Sequence, residues 1–353
     1  MKILAINLGS TSTKLAVFED TVPVSTVCLR HPKTELARYA GIMAQKDYRR
    51  SLMDEWLSAN GHHPSQMDII VSRCGPIRPM AGGTYLIDEA AIHDATDCRY
   101  GEHAANIGLL IADEWQRTFG IPAVFVDPPC TDELDTVARV SGYEGIARRS
   151  VFHALNAKRV IRLYCDKAGL DPLCSSFIVA HLGGGISVAA FENMRAIDVT
   201  NAIDGEGPFS PERSGSLPSA GLLKLVSRFE GNAKALHTAL YRQGGLQSYF
   251  DTNDVAALID RAQNEPAVRL VLDAMYYNIA KAIGAMATVL SGKAAQIILT
   301  GGMAHNADVT DSIKARVAFI APVTIYPGED ELAALAQGAY RCITGLEQAG
   351  RLS

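Results

Sequence analysis

Nothing in this 353-residue chain approaches the roughly 18 consecutive apolar residues of a membrane-crossing helix. The apolar start at Ile3-Leu4-Ala5-Ile6 is broken by Asn7 before it reaches the length of a secretory core, and no small-residue cleavage pattern follows. Seven cysteines (Cys28, Cys74, Cys98, Cys130, Cys165, Cys174, Cys342) are scattered, odd in number and free of any Cys-x-x-Cys pair. Neither a disulfide framework nor a zinc site is indicated, and buried free thiols are the expectation. Long basic runs are absent and the formal net charge is −5. The denser pairs, Arg148-Arg149 and Arg159 with Arg162, read as solvated faces of helices. These absences together describe a cytoplasmic protein with a small-molecule partner, without nucleic acid and without membrane. Also missing are Gly-x-x-x-x-Gly-Lys-Ser/Thr, a Gly-x-Gly-x-x-Gly after a strand, a His-x-x-x-His pair and a Gly-x-Ser-x-Gly elbow. Walker-type, dinucleotide-binding, metallopeptidase-like and serine-hydrolase chemistries lose their usual carriers.

What is present begins with size. With 48% hydrophobic and 20% charged residues, 353 residues can bury a large core and exceed one ordinary domain, so two are expected. Two segments about half a chain apart share one pattern. Ile3 to Glu19 runs apolar strand, Asn7-Leu8-Gly9-Ser10-Thr11-Ser12, apolar strand. Ile178 to Glu192 runs apolar strand, His181-Leu182-Gly183-Gly184-Gly185-Ile186-Ser187, apolar strand. In each copy a turn of small residues lets backbone N–H groups converge without obstruction, which is how such turns bind phosphate. A third buried-type strand, Ile297 to Thr300, ends on Gly301-Gly302. Two phosphate hairpins and one nucleoside loop predict an ATP cleft between two related domains.

Strands and helices alternate along the rest, which supports an α/β class. Residues 2–7 and 13–19 form the first hairpin, 24–30 a further strand, 34–60 a mostly helical stretch and 67–71 a strand entering Ser72-Arg73-Cys74-Gly75-Pro76. A helix is expected from Glu102 to Thr118, stopped by Gly120-Ile121-Pro122, then a short strand 123–126 delivering Asp127. A helical stretch from Arg148 holds His153. After the second hairpin come a loop from Asp198 to Pro218 and several helices, the longest from about Glu265 to Gly292. Strands at 296–299 and 322–326 follow, then a final helix. No low-complexity linker marks a boundary. The repeat places the domains at 1–148 and 149–330, with residues 331–353 packing back on the first.

Four segments, taken in order, resemble the butyrate kinases: Asn7 to Lys14, Phe152-His153-Ala154-Leu155-Asn156, His181 to Ser187, and Asp204-Gly205-Glu206-Gly207-Pro208-Phe209-Ser210-Pro211-Glu212-Arg213-Ser214-Gly215. Butyrate kinases stand with acetate and propionate kinases in the sugar kinase, heat-shock chaperone and actin superfamily. The resemblance extends to Glu329-Asp330-Glu331, essentially the whole chain. It implies two ribonuclease-H-like, actin-like domains. The implied reaction takes ATP, Mg²⁺ and a short-chain carboxylate to ADP and an acyl phosphate by direct in-line transfer, in a homo-oligomer.

The resemblance also implies roles. Asn7 and Lys14 flank the first phosphate turn, Gly9, Ser10, Thr11 and Ser12, and would contact the transferring phosphoryl group. His153 and Arg213 would stabilise charge on its planar oxygens, a task suited to the guanidinium fork. Arg73 would bind the substrate carboxylate. Asp127 would act at the reaction centre and hold Mg²⁺ with Asp330 or Glu331, and the three acids Glu329, Asp330 and Glu331 are not separable from sequence. His181, Gly183, Gly184 and Gly185 match the second phosphate hairpin, and Gly301 with Gly302 the adenosine loop.

Plainer readings stand beside these. Lys14 is otherwise a solvated hairpin lysine, His153 a satisfied core histidine, Arg73 and Arg213 loop arginines, and residues 329–331 acids favoured at a helix start. Asp204 and Glu206 lack the spacing of a calcium loop. Leu8, Cys74 and Cys130-Thr131 depart from the family pattern, and Cys74 with Pro76-Ile77 lies where the acyl group would sit. Straight and branched C3–C5 acids therefore stay open, as do acetate and propionate, because one methylene discriminates by only ~1–3 kcal/mol. A non-catalytic ATP-binding regulator is the alternative from another class.

Overall fold

The computed structural model describes residues 1–201 and 203–352. Apolar runs in the first segment build β1 (Lys2–Leu8) and β2 (Ser12–Glu19), and an alternating stretch builds β3 (Val22–Arg30), an antiparallel meander. Continuous apolar runs build β4 (Ile69–Ser72), parallel to β1, and β6 (Ala123–Val126), parallel to β4; β5 (Thr84–Leu86) closes the edge against β6. The first sheet has the order β3-β2-β1-β4-β6-β5.

The second segment repeats the plan. β7 (Ser176–Leu182), β8 (Ile186–Glu192) and β9 (Arg195–Val199) form an antiparallel meander, and β10 (Gln296–Gly301) and β11 (Val323–Pro327) extend it in parallel, in the order β11-β10-β7-β8-β9. Even the irregularities match. Each meander breaks register at the same point of the repeat, between Val17 and Phe18 in β2 and between Ala190 and Phe191 in β8. A bulge bends a strand and strengthens its twist, so the two copies share a curvature as well as an order.

The chain divides into two compact units, residues 1–131 with 330–353, and residues 132–329. The division precedes the sequence expectation of 148. Residues 132–148 bond to the second meander: Asp135 N–H donates to Ile197 O at 3.0 Å, Arg148 Nη2 to Val199 O at 2.8 Å, and Ala196 N–H to Glu133 Oε2 at 2.8 Å.

Other expectations shift for local reasons. Residues 148–153 are not helical; the helix begins at Ala154 and runs to Ala168. Arg148 and Arg149 therefore lie in a loop, not on a solvated helix face, and pair with Asp198 and Glu206 and with Asp204. The stretch 34–60 is broken into a single turn at Lys33–Leu36 and a helix at Lys46–Ala59. The strands β5 and β9, three and five residues long, are too short for their period to register in sequence. Only Cys74, Cys130 and Cys165 of the seven free thiols are buried, so burial does not describe the set.

Strand alternation decides which side chains reach the site. In β1, Leu4, Ile6 and Leu8 enter a core with Met53 and Leu57 of helix Lys46–Ala59 and Ile107 and Ile111 of helix Ala104–Phe119. The other face, carrying Ala5 and Asn7, is left to helix Glu331–Ile343, which packs along β1, β4 and β6. In β7, Ile178, Ala180 and Leu182 enter a core with helix Pro266–Val289, while Phe177 and Val179 face helix Ala154–Ala168. His181 stands on that second face. Gly338 sets the closeness of the final helix to β6, since a Cβ there would lie 2.6 and 2.8 Å from the two Val126 methyls. Gly338→Ala should lose about 1–3 kcal/mol of stability in urea denaturation; an unchanged midpoint would contradict this packing.

Candidate active site

In the first unit, the pairing of β1 with β2 sets Asn7 opposite Lys14 and Leu8 opposite Thr13 across the turn. Gly9 N–H donates to Ser12 O at 2.8 Å and closes it. Asn7 is buried and its Nδ2 donates to Glu331 Oε2 at 2.6 Å; Lys14 is exposed. Behind the turn lies Arg49, a residue that sequence reasoning passes over because it reads as one more polar position on a helix. Its guanidinium donates to the carbonyls of Gly9, Ser10 and Ser12 at 2.9, 3.0 and 3.3 Å. Thr13 Oγ1, which also takes an Arg49 hydrogen bond, lies 2.8 Å from His31 Nε2.

Arg73 leaves the end of β4, its N–H donating to Ile6 O at 2.8 Å, and its Nη2 lies 3.2 Å from Glu331 Oε1. Glu331 thus joins two expected site residues, Asn7 and Arg73. Cys74 is buried next to it, its thiol donating to Gly75 O, and burial pushes that thiol well above its ordinary pKa. Asp127 sits at the end of β6 with φ 39°, a left-handed conformation, and its Oδ1 accepts from Gly83 N–H at 2.8 Å. Asp330 Oδ1 accepts from Ala333 N–H at 3.2 Å and caps the last helix.

In the second unit, the pairing of β7 with β8 sets His181 opposite Ser187. His153, at the start of helix Ala154–Ala168, places Nδ1 2.9 Å from Ser187 Oγ and stacks on His181, with ring centres 3.7 Å apart and planes within 5°. Asn156, one turn into the helix, donates to His181 Nδ1 and to Thr300 Oγ1, both at 3.0 Å. With Nδ1 accepting, Nε2 carries the proton, and it lies 2.8 Å from Glu329 Oε1. The three consecutive acids are therefore separated: Glu329 beside His181, Asp330 on a helix cap, Glu331 on Asn7 and Arg73.

The second turn is shaped by its neighbours. A Cβ on Gly185 would stand 2.5 Å from Arg213 Nη1, and one on Gly183 would stand 3.2 Å from His181 Nε2. Ser210 Oγ donates to Gly184 O at 2.6 Å and accepts the Arg213 N–H at 3.2 Å, tying the arginine loop to the turn. The Arg213 guanidinium has no hydrogen-bond or ion-pair partner among the described residues. Burial lowers its pKa while the Glu212 charge opposes that shift. Gly301 adopts φ 92° and exchanges backbone hydrogen bonds with Gly328, and a Cβ there would strike the Leu182 backbone at 2.5 Å. Gly302 faces open space. Ser187, Asn156 and Glu329 escape sequence reasoning as partners because their contacts span 25 to 148 residues; only the repeat, which pairs Ser187 with His181, hints at one of them.

Two duplicated units, each built on an antiparallel hairpin closed by a turn of small residues, define the actin-like ATPase fold. The solved structures agree in fold. The acetate kinase of Entamoeba histolytica superposes with a TM-score of 0.77 at 16% identity, covering 96% of this chain and 98% of that one. The acetate kinase of Porphyromonas gingivalis superposes with a TM-score of 0.75 at 19% identity, covering 98% and 100%. Residues 143–326 match the model of the acetokinase family. Butyrate kinase 2 of Clostridium acetobutylicum is 42% identical over 349 residues, 99% of this chain and 98% of that protein. A probable butyrate kinase of Listeria welshimeri is 44% identical over 349 residues, 98% of each. The chain belongs to the acetokinase family, and with it is an ATP-dependent short-chain carboxylate kinase that makes an acyl phosphate.

Two histidines of the first unit are held neutral. Burial, then the Arg49 charge, lowers the pKa of His31 to about 4, and burial, then Arg73 and Arg49, lowers that of His103 to about 4. Both are depressed below the ordinary 6.5, so the unfolded chain binds more protons between those limits. Stability is fully present above pH 6.5 and falls as the pH drops toward 4, by about 1–2 kcal/mol per histidine between pH 7 and pH 5. Urea midpoints across that range should show the slope, and His31→Gln should flatten it; a level profile in the parent would contradict the assignment.

Proposed function

We propose that this chain transfers the γ-phosphoryl group of ATP to butyrate or a straight or branched acid of similar size, with Mg²⁺, by one direct in-line displacement. The substrate class is supported by the curated relatives, named butyrate kinases at 42–44% identity over nearly the whole chain. The observation that carries the chemistry is Arg213, a partly buried cation packed on the second turn whose guanidinium meets no protein acceptor among the described residues. A structural arginine would spend its donors on the protein; this one keeps them for oxygens that arrive with substrate.

The acceptor is a carboxylate and is already ionised at neutral pH, so the transfer needs no general base. One carboxylate oxygen forms a bond to the γ-phosphorus as the bond to the ADP oxygen breaks. What the reaction requires is cations and N–H donors around oxygens on which charge spreads. Asn7, Lys14 and the N–H groups of Ser10 and Thr11 serve the phosphoryl group from the first turn. Arg213 and His153, the latter fixed by Ser187 and by its stack on His181, serve its equatorial oxygens. Gly183, Gly184 and Gly185 receive the remaining phosphates, and Gly301 and Gly302 the nucleoside. Arg73, at the end of β4 with Nη2 3.2 Å from Glu331 Oε1, binds the acid.

Among the described residues no cluster of three His, Cys, Asp or Glu side chains forms a ready metal site. That suits Mg²⁺, which prefers water and phosphate oxygens with one or two carboxylates. Asp127, with Asp330 or Glu331, offers hard oxygen donors that would hold it. When bound, the ion neutralises phosphate charge. As a kinase fed by ATP it would act in the cytoplasm, and like the family it resembles it would act as a homo-oligomer.

Acyl phosphate trapped as hydroxamate, with MgATP and acetate, propionate, butyrate, isobutyrate or valerate, tests the reading. A rate optimum at four or five carbons is expected. An optimum at acetate would contradict the substrate class, and no product with any acid would favour a regulator. Arg213→Ala should lower kcat by roughly 10²–10³-fold with little change in KM for ATP, whereas Arg73→Ala should act chiefly on KM for the acid. Loss of nucleotide affinity with normal turnover in Arg213→Ala would contradict its role.

A further inference from the structure

Arg49 is 0% exposed and has no carboxylate within ion-pair reach among the described residues. Its six hydrogen bonds all go to neutral acceptors: the carbonyls of Gly9, Ser10 and Ser12, Thr13 Oγ1, and Gln45 Oε1 twice. A guanidinium taken out of water is costly, and a buried cation normally answers a buried anion. Here carbonyl dipoles solvate the charge but do not cancel it. The His31 ring, whose Nε2 lies 2.8 Å from Thr13 Oγ1, is no competing cation, because burial, then the Arg49 charge, lowers its pKa to about 4.

The geometry of the turn gives this charge a direction. Among the described residues no peptide bond is cis. In a trans peptide the N–H points opposite the C=O of the same unit. With Gly9 O and Ser10 O both drawn to Arg49, the N–H groups of Ser10 and Thr11 are turned to the other side. Neither N–H donates to a protein acceptor among the described residues, and both residues are exposed. The first turn is thus a plate with two free donors on its outer side and one uncompensated positive charge on its inner side. An oxyanion arriving at those donors would complete the missing ion pair through the plate.

We infer that Arg49 is a positioning residue for phosphoryl transfer: it orients the Ser10 and Thr11 N–H groups toward the transferring phosphoryl group and lends that group the charge it leaves unpaired. The inference rests on the kinase reading above, and it assigns the buried cation to the anion that the reaction brings in. A residue that merely glued the hairpin would affect folding and every ligand alike.

The test uses MgADP with aluminium fluoride, a mimic of the planar phosphoryl group, in the presence of butyrate. Affinity for MgADP alone and with the mimic is measured by calorimetry on the parent, Arg49→Lys and Arg49→Met. The parent should bind the nucleotide more tightly with the mimic. Arg49→Met should lose roughly 10-fold or more of that tightening, as expected for loss of aligned donors, while its affinity for MgADP alone stays near the parental value. Arg49→Lys, which keeps the charge but not the fork, should fall between the two, and it decides the matter if Arg49→Met does not fold. Tightening retained in full by the folded variants, or equal losses with and without the mimic, would overturn the inference while leaving the kinase reading in place. A parent that shows no tightening at all would overturn both.

Discussion

Strand register in two hairpins governs everything else in this molecule. Pairing β1 with β2 puts Asn7 across from Lys14, and pairing β7 with β8 puts His181 across from Ser187. A slip of one residue would turn Asn7 and His181 into the apolar cores that now hold Ile6 and Leu182, and bring those side chains out in their place. Register is secured by burial of alternate residues on both faces of each central strand, and by matching bulges that end the regular pairing at equivalent points. The turns between the strands are consequently free of structural duty beyond their own closure. Their donors can face outward.

The charges follow from that arrangement. A reaction whose acceptor is already an anion needs positive groups without internal partners, and proteins seldom leave such groups unpaired. Two arginines here meet that description in different ways. Arg213 rests on Gly185, held by Ser210, with its guanidinium unengaged. Arg49 is engaged on all sides yet electrically unanswered. Arg73, by contrast, is already paired with Glu331, so the acid substrate would meet an arginine whose present partner has the same chemistry. Positive charge that lacks a counter-ion costs stability and is retained where an incoming ligand supplies the counter-ion.

Much of this was legible in the sequence, for physical reasons that also mark the limit. Apolar strands on both sides of a small-residue turn, repeated half a chain later, expose the hairpins and with them Asn7, Lys14, His181 and the turn glycines. Glycine at 185 and 301 is explained only by structure, through the nearness of Arg213 and of the Leu182 backbone. Arg49 was invisible because a helix period cannot distinguish an arginine that faces water from one that faces a turn 40 residues upstream. Residues 329–331 were indistinguishable because the end of a strand connection and the start of a helix send neighbouring side chains in different directions. The loop before His153 looked helical because its arginines suited a solvated face, whereas they are committed to Asp198, Asp204 and Glu206.

In the proposed reaction a carboxylate oxygen attacks the γ-phosphorus directly while these cations hold the phosphoryl oxygens, with no phosphorylated enzyme between. ATP made chiral at the γ-phosphorus with oxygen isotopes, turned over with butyrate, tests this most directly through the configuration of the acyl phosphate formed. Inversion at phosphorus is the predicted result; retention would require two successive transfers through a protein nucleophile and would contradict direct transfer.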